Sequence, residues 1–470
     1  MKRNVFITLV SVLTLAACGG DGETVAGIDS RGTPVAVTVV SKGTISGFGS
    51  VIVNGVTFDT SNAVFTIDGI AGSQANLAIG QVVVVQGELG EDPTTGTADS
   101  VTFDDAVEGP VDAIDVVAGT MIVLGQTIVA DADTSYDDAI NPASLEGLAV
   151  NDFVEVSGFY LADGTISATR IELRALAGEL ELTGTVSNPA GTTFEINGFV
   201  VDFSAAMLED FPGGTPEDGQ LVEARGDALG GAGELMATRV KFKGGAFGDD
   251  GDRAEVEGYI TRFDLATDFD VEGVPVITNA QTVFENGTSV DLALNRKVEV
   301  EGDIDATGVI VATTVEIRPS GTIRIESTVE GKQGNQLTIL GITVTVNEST
   351  RIEDKSSAGL DPFGIDQVNV ADYVEIRGYE DNGAIVATLL EREDFEGVVA
   401  IRGFVEAIND PDFTIFGITI QTIPATEFFD NAGGVIMAAD FFGQAAGRLV
   451  EASGTQNGSA IVADEIELED

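Results

Sequence analysis

The stretch KVEVEGDIDATGVIVATTVEI, residues 297–317, carries the pattern from which the fold can be argued. Val298 and Val300 alternate with Glu299 just before Gly302. This is the period-two alternation of a strand that buries one face. A second alternating run, VATTVEI, follows a turn that contains aspartate and glycine. The stretch therefore predicts a β-hairpin.

The same pattern occurs six times along the chain. In each copy a valine stands four residues before a glycine, with a second small or apolar residue between them. The pairs are Val83 and Gly87, Val154 and Gly158, Val222 and Gly226, Val298 and Gly302, Val374 and Gly378, and Val450 and Gly454. Successive glycines are separated by 71, 68, 76, 76 and 76 residues. A period of this length is typical of a tandem array of small domains.

Each copy contains five predicted strands. An opening strand and a pair that bends at a glycine, such as Gly198 or Gly417, precede the hairpin. The segment between the third and fourth strands is irregular, and in residues 141–150 and 204–211 it is compatible with a helical turn. This order is the pattern of the OB fold, a small Greek-key barrel. We therefore predict an all-β chain of six five-stranded OB-like barrels. Tandem β-sandwich domains are the alternative, although a sandwich needs about seven strands and about a hundred residues.

The period and the N-terminal pattern together predict the domain boundaries. They are a signal peptide at 1–17, a lipid-anchored tether at 18–41, and six repeats at 42–105, 106–175, 176–245, 246–319, 320–394 and 395–470.

The first residues, MKRNVFITLVSVLTLAAC, have the layout of a secretory signal. Lys2 and Arg3 precede an apolar run that is too short to span a bilayer. The end of this run, LAAC, resembles the lipobox of bacterial lipoproteins. That resemblance implies cleavage before Cys18 and lipidation of its thiol. Because Gly19 rather than aspartate follows the cysteine, it also implies retention in the outer membrane, facing either the periplasm or the cell surface.

Composition excludes several kinds of chemistry. The chain has no histidine and one cysteine, so histidine-based catalysis, a thiolate zinc site and an internal disulfide are all excluded. Its 77 acidic residues exceed its 23 basic residues, giving a formal charge of −54. Although OB folds commonly bind nucleic acid, such a chain repels phosphates, and we expect no nucleic-acid partner.

Tandem glycine- and valine-rich repeats behind a lipobox resemble a family of bacterial envelope lipoproteins known as the domain of unknown function 5666. The resemblance extends over about residues 42–470 and implies an OB-like fold. Its motifs are structural, so it implies no catalytic residue and no cofactor.

A recurring glutamate is the most conspicuous polar feature of the repeats. It stands three residues before the glycine in five copies, at Glu155, Glu223, Glu299, Glu375 and Glu451. One interpretation is a ligand or cation contact in each domain. We favour a structural role on the solvent face of the fourth strand, opposite threonine or a basic residue such as Arg170 or Arg239.

An acidic loop is the candidate cation site. Residues 248–253, GDDGDR, place Asp249, Asp250 and Asp252 around a glycine, and clustered carboxylates suit Ca²⁺. The spacing is not that of an EF-hand, and a solvated linker is the other interpretation. Residues 130–138, ADADTSYDD, form a weaker candidate of the same kind.

Two phenylalanine pairs mark the last repeat. Phe428 and Phe429, and Phe441 and Phe442, lie within its long insertion. They predict either an exposed apolar patch that binds a partner or a loop pinned onto its barrel.

These features favour a non-catalytic, lipid-anchored envelope protein with a structural, adhesive or partner-binding role. The lipid anchor supplies the contact with the membrane, and the expected partner is an envelope protein or a matrix polymer. Two alternatives stay open: a Ca²⁺-dependent binding module and a carboxylate-based hydrolase.

Overall fold

The computed structural model describes residues 37–174, 178–381, 383–395 and 397–469. The predicted signal peptide, Cys18 and the start of the tether lie outside the described residues. The first strand already includes residues 37–41, so the predicted tether 18–41 is too long at its C-terminal end. In the described part of the chain, no helix is both long and apolar enough to cross a bilayer.

The prediction of an all-β chain of small barrels is confirmed. The strands of barrel 1 are β1 Val37–Gly47, β2 Val51–Val53, β3 Val56–Asp59, β4 Val64–Ile67, β5 Ile70–Gly72, β6 Val82–Leu89 and β7 Thr95–Phe103. Those of barrel 2 are β8 Val107–Asp115, β9 Thr120–Val123, β10 Gln126–Val129, β11 Ser135–Tyr136, β12 Phe153–Tyr160 and β13 Ile166–Arg174. Those of barrel 3 are β14 Leu180–Ala190, β15 Thr193–Ile196, β16 Phe199–Asp202, β17 Met207–Glu209, β18 Leu221–Leu229 and β19 Leu235–Phe242.

The second half of the chain repeats this order. The strands of barrel 4 are β20 Arg253–Leu265, β21 Asp268–Val271, β22 Val274–Ile277, β23 Val283–Glu285, β24 Lys297–Ile304 and β25 Ile310–Ile317. Those of barrel 5 are β26 Ile323–Gln333, β27 Gln336–Ile339, β28 Ile342–Thr345, β29 Arg351–Asp354, β30 Tyr373–Asp381 and β31 Ala384–Glu393. Those of barrel 6 are β32 Val399–Phe404, β33 Ala407–Asn409, β34 Asp412–Ile415, β35 Ile418–Gln421, β36 Glu427–Phe429, β37 Leu449–Asn457 and β38 Ala460–Leu468.

Barrel 2 shows how each sheet closes. Strand β8 pairs antiparallel with β9, and β9 pairs antiparallel with β10. Strand β10 runs parallel to the start of β13, β13 pairs with β12, and β12 returns to β8. This ring of five strands is a Greek-key barrel of the OB type. The other barrels follow the same order, with the first strand of barrel 6 divided into β32 and β33.

The segment between the third and fourth barrel strands is more regular than predicted. It contributes a short extra strand that pairs parallel with the last strand of each barrel, as β11 does with β13. Residues 141–150 contain a single 3-10 turn, Leu145–Gly147, whereas residues 204–211 contain the strand β17 instead of a helical turn. Barrels 1 and 5 carry similar turns at Gln74–Asn76 and Ile365–Gln367, and the one α-helix of the described residues, α1, is Ala438–Phe442 in barrel 6.

The repeated valines and glycines have separate structural roles. The six valines point into the barrel interiors and are at most 1% exposed. Each glycine lies at a bulge in the pairing of the last two strands, as between Arg377 and Gly378. A Cβ atom at Gly378 would overlap the carbonyl oxygen of Val386 on the neighbouring strand. Only glycine therefore lets the two backbones approach this closely.

The barrels are joined in pairs by their first strands. Strand β1 of barrel 1 runs parallel to β20 of barrel 4. Strands β8 and β14 join barrels 2 and 3, and strands β26 and β32 join barrels 5 and 6, in both cases antiparallel. Hydrogen bonds also cross between the pairs, for example from Tyr160 N–H in barrel 2 to Glu272 Oε1 in barrel 4 at 3.1 Å. Much of the outer surface of each barrel is consequently covered by another barrel.

Candidate functional site

The recurring glutamates do not lie on a solvent face, and that part of the sequence interpretation is wrong. Glu155, Glu223, Glu299 and Glu375 are at most 6% exposed, and the side chain of Glu451 is 23% exposed. Alternation along a strand distinguishes the inside of a barrel from the outside. It does not show that the outside is covered by a neighbouring barrel, which is the case here.

The described glutamates form ion pairs with basic residues. The pairs are Glu155 with Arg174, Glu223 with Arg225 and Lys243, Glu299 with Arg318, Glu375 with Arg324 and Arg377, and Glu451 with Arg324. Of the two basic residues expected from the sequence, Arg239 lies 3.6 Å from Glu223, whereas Arg170 pairs with Glu172 at 2.6 Å. Buried pairs of this kind fix the positions of their side chains.

Arg377 shows what such a pair does. Its Nε donates to Glu375 Oε1 at 2.5 Å, and its Nη1 donates to the carbonyl oxygens of Ala132 and Thr134 in barrel 2 at 2.9 and 3.1 Å. Burial opposes the charge of Glu375, but Arg377 and Arg324 lower the pKa of this carboxyl to about 2. The sequence analysis missed Arg377. Its position two residues after the glutamate, on the same strand face, was the available signal.

The weaker acidic candidate, residues 130–138, belongs to the same contact between barrels 2 and 5. The carboxylate of Asp133 accepts hydrogen bonds from Thr388 Oγ1 at 2.6 Å and from Gly321 N–H at 2.9 Å. Arg351 donates to the Asp133 carbonyl. These contacts already occupy the carboxylate and the carbonyl oxygen of Asp133.

The structure does not bring Asp249, Asp250 and Asp252 together as a cation site. Asp252 accepts a hydrogen bond from Asp249 N–H at 2.9 Å and another from the Thr38 hydroxyl. Asp249 and Asp250 are exposed. Among the described residues, the one group of three carboxylates with oxygens within 4.8 Å of one another lies elsewhere.

Phe428 and Phe441 belong to the core of barrel 6 and Phe442 packs against it, so for these three residues the predicted exposed patch is wrong and the alternative interpretation, a loop pinned onto its barrel, is correct. Phe441 is fully buried, and its ring centroid lies 5.2 Å from those of both Phe428 and Phe442. It also packs 5.5 Å from Phe413 on β34. Phe429 is half-buried at the edge of this group. The short helix α1 thus closes the barrel.

Three carboxylates meet where barrels 1, 2 and 3 adjoin, and we call Asp68, Asp105 and Glu181 the junction cluster. Asp68 lies in the tight turn between β4 and β5, where it and Gly69 have φ angles of 50° and 73°. Asp105 lies in the connection between β7 and β8, and Glu181 lies on β14. An Asp-Gly turn with two positive φ angles matches the twist of its strands, which positions Asp68.

Asp105 and Glu181 of the junction cluster are buried, Asp68 is half-buried, and the carboxylates around them outnumber the basic residues. Asp105 is 1% exposed, and neither of its carboxylate oxygens has a hydrogen-bond partner among the described residues. Burial, and then repulsion from Asp68 and Glu181, raise the pKa of Asp105 well above its usual range. Burial likewise raises the pKa of Glu108, on the adjoining strand, to about 7.

A comparison with protein families matches five segments of the chain, residues 108–172, 183–241, 257–316, 324–391 and 402–467. The matching family is described as "Domain of unknown function (DUF5666)". The chain belongs to this family. The five DUF5666 segments fall in barrels 2 to 6, and barrel 1 has the same strand order outside the match. A comparison with curated protein sequences found no match.

A groove lies between the first barrel of this DUF5666 protein and barrel 5. It has a volume of about 480 Å³. Barrel 1 lines it with Phe48 after β1, Ile52 and Thr57 on the β2–β3 hairpin, Thr94 in the loop before β7 and Thr95 at the start of β7. Strands 2 and 3 and these two loops are the elements with which OB folds bind oligonucleotides and oligosaccharides.

The opposite wall of the groove comes from barrel 5. It combines polar residues such as Asn335, Asn347 and Thr350 with apolar residues such as Val346, Ile352, Phe363 and Ile365. Two acidic residues, Glu348 and Asp366, line the groove, and its lining includes no lysine or arginine. An anionic ligand is therefore disfavoured on electrostatic grounds.

A separate polar cavity lies where barrels 1, 2, 4 and 5 meet. Its volume is about 80 Å³, room for a few water molecules. Lys297 pairs there with Glu257 at 2.9 Å. Burial and this pairing shift the pKa of each group in opposite directions. Lys297 and Arg318 lower the pKa of Glu257 to about 2 despite its burial. These paired groups are part of the packing between the barrels.

Proposed function

We propose that this protein is a non-catalytic, lipid-anchored component of the outer membrane. In this proposal its fused barrels present the groove between barrels 1 and 5 to a neutral or amino-bearing matrix polysaccharide. The observation that carries the proposal is the position of the groove on the ligand-binding face of an OB barrel, without a basic residue in its lining.

The chemistry of the groove supports a polysaccharide over other polymers. Thr57 offers a hydroxyl group, Thr94 and Thr95 offer hydroxyl oxygens whose protons are donated to Asp92, and Asn335 offers its amide oxygen, all of which can accept from the hydroxyl groups of a sugar chain. Phe48 adds an apolar surface for a ring face. The net charge of −54 disfavours nucleic acid and anionic glycans and favours a partner with amino groups.

The joining of the barrels supports a structural role. Strand pairing across barrel boundaries and buried ion pairs such as Arg377 with Glu375 resist relative movement of the barrels. A groove formed by two barrels keeps its shape only if the barrels stay in place. An anchored, stiff body of this kind suits attachment better than turnover of a substrate.

Polysaccharide binding in the groove is tested with a substitution that fills the groove. Thr57→Arg adds a long cation in the groove, whereas Thr127→Arg makes the same change at the matching position of barrel 2, away from it; both threonines are exposed. Affinity electrophoresis in gels that contain a neutral or a glucosamine-rich polysaccharide should show retardation of the wild type and of Thr127→Arg, and not of Thr57→Arg. Equal migration of all three proteins would refute the proposal.

The anchor is tested in cells. Radiolabelled palmitate should label the wild type and not Cys18→Ala, and only the wild type should fractionate with the outer membrane. A Cys18→Ala protein that stays in the outer membrane would refute the lipid anchor.

A further inference from the structure

We propose that the junction cluster binds a Ca²⁺ ion that ties barrel 1 to barrel 3. Asp68, Asp105 and Glu181 come from barrel 1, the connection between barrels 1 and 2, and barrel 3. This site is separate from the polysaccharide groove and goes beyond the proposed function.

The most deeply buried carboxylate oxygens of the junction cluster lack hydrogen-bond partners among the described residues. Both carboxylate oxygens of Asp105 are buried without a hydrogen bond from any residue that the structure describes, although buried polar groups nearly always have one. Arg225 Nη2 lies 2.9 Å from both carboxylate oxygens of Glu181 and donates to Oε1, so Oε2 has a charged neighbour but no hydrogen bond among the described residues. Thr183 Oγ1, two residues along the same strand face, is also buried and unpartnered. These atoms are the ligands that the chain offers.

The basic residues nearby do not neutralise the junction cluster. The guanidinium of Arg225 lies within 4.0 Å of five carboxylates, those of Glu181, Glu223, Asp68, Asp104 and Glu179. Lys243 is shared between Asp104 at 2.6 Å and Glu223 at 3.0 Å. Arg225 and Lys243 therefore serve an excess of acids, and Asp105 forms no ion pair with either of them. The charge of Arg174 also lowers the pKa of Asp105, but burial and the neighbouring carboxylates outweigh it. A buried carboxylate without a counter-charge is strongly unfavourable, and a bound cation removes that cost.

The ligand set favours Ca²⁺ over other cations. All the ligand atoms are oxygens, which excludes a site of the zinc type with sulfur or imidazole ligands. Oxygens on opposite sides of Ca²⁺, each roughly 2.3–2.6 Å from the ion, are separated by a distance close to the 4.8 Å that bounds this cluster. Mg²⁺ prefers to keep several waters and one or two carboxylates, whereas two of these three carboxylates are fully buried.

Binding is measured with Tb³⁺, a luminescent substitute for Ca²⁺, on the full-length lipidated protein in detergent after EDTA treatment. Tyr160 is placed to sensitise the emission, because its hydroxyl donates to the Thr183 carbonyl at 3.1 Å and lies 3.4 Å from the carbonyl of Ala106, next to Asp105. The chain has no tryptophan to compete. We expect tyrosine-excited emission that Ca²⁺ displaces and that Mg²⁺ at equal concentration does not.

Three variants locate the ion. Asp105→Asn, and independently Asp68→Asn at the partly exposed end of the cluster, should weaken Ca²⁺ binding by about tenfold or more in calorimetry. Asp250→Asn, in the exposed loop first considered for a cation, is the matched control and should bind as the wild type does. Tyr160→Phe should lose most of the Tb³⁺ emission while its Ca²⁺ affinity stays unchanged.

Several results would overturn the site. The wild type could show no saturable Ca²⁺ binding, or Mg²⁺ could displace Tb³⁺ as well as Ca²⁺ does. Folded Asp105→Asn and Asp68→Asn variants could also bind Ca²⁺ like the wild type. Loss of binding in Asp250→Asn would assign the ion to the exposed loop instead. Circular dichroism confirms folding of each variant before binding is measured.

Discussion

Glu375 in barrel 5 and Asp105 beside barrel 1 are both buried carboxylates outside a barrel interior, yet their surroundings are opposite. Glu375 lies 2.8 Å from a nitrogen of Arg324 and 2.5 Å from one of Arg377. Within the described part of the chain, neither carboxylate oxygen of Asp105 has a hydrogen-bond partner. The pKa of Glu375 is lowered to about 2, whereas burial raises the pKa of Asp105 well above its usual range.

The difference distinguishes a carboxylate that stabilises the fold from one that we propose binds an ion. A buried carboxylate costs stability unless a positive charge and hydrogen bonds compensate it. At Glu375 the chain supplies both, and the pair serves to hold barrel 5 against barrel 2. At Asp105 the described residues supply no hydrogen bond to the carboxylate and only the distant charge of Arg174, so the buried charge is removed by a proton or offset by a bound cation. The five recurring glutamates all have a basic partner, as Glu375 does, although at Glu299 burial outweighs Arg318 and raises the pKa to about 7. The binding candidate is an aspartate that does not recur.

The largest expected effect comes from breaking the paired region. Arg377→Ala leaves Glu375 with one of its two basic partners and removes the hydrogen bonds to Ala132 and Thr134. Removing one partner of a buried pair typically costs about 3–5 kcal/mol. We expect a clear fall in the urea midpoint of unfolding, measured by circular dichroism.

The control for that change is an exposed pair. Arg262 contacts Asp264, Asp268 and Asp270, and its side chain is 38% exposed. Exposed ion pairs contribute little, so Arg262→Ala should leave the midpoint nearly unchanged. If the two alanine variants shift the midpoint equally, burial does not distinguish the pairs.

A second prediction concerns Glu255, a third buried carboxyl group beside Glu375 and Asp105 in the comparison. It is buried on β20, and its Oε2 has no hydrogen bond. Burial raises its pKa to about 8. The folded protein therefore holds this proton over a pH range, from about 4.5 to about 8, in which the unfolded chain has released it. Stability should fall as the pH rises through that range, and Glu255→Gln should reduce the slope.

The measurement is a series of urea unfolding curves across the range from pH 4.5 to 8. A Glu255→Gln variant with the same pH dependence as the wild type would show that this carboxyl does not carry the effect.

Glu375 gives the opposite sign and a third prediction. Because its pKa is lowered to about 2, its ion pairs stabilise the fold above about pH 4.5, and this contribution is lost as the pH falls toward 2. Glu375→Gln should be less stable than the wild type at neutral pH and should approach it under acid conditions. Acid titration followed by near-ultraviolet circular dichroism compares the two proteins. A constant difference at every pH would assign the effect to packing.

The contrast explains how far the sequence predicts this molecule. The alternation around Val298 and Gly302 is a local property, and it predicted the hairpin, the repeat and the barrel. The surroundings of Glu375 depend on contacts between residues far apart in the sequence, such as Arg377 and Ala132, which are 245 positions apart. The junction cluster joins Asp68 to Glu181 from different barrels, and no local spacing brings such residues together. The phenylalanines of barrel 6 were found as a group, but their burial depended on how the helix α1 closes the barrel.

The smallest effect is expected where a carboxylate needs no compensation at all. Asp249 and Asp250 are exposed, so water already solvates their charges. Asp249→Asn and Asp250→Asn should leave the urea midpoint unchanged within error, both in EDTA and in Ca²⁺. Asp252 differs from them because its carboxylate accepts the Asp249 N–H and the Thr38 hydroxyl, which joins the loop to β1. Asp252→Asn should therefore lower the midpoint slightly, with the same shift in EDTA and in Ca²⁺. A shift that appears only in Ca²⁺ would mean that the exposed loop holds an ion, and the contrast between Glu375 and Asp105 would then no longer identify where the ion binds.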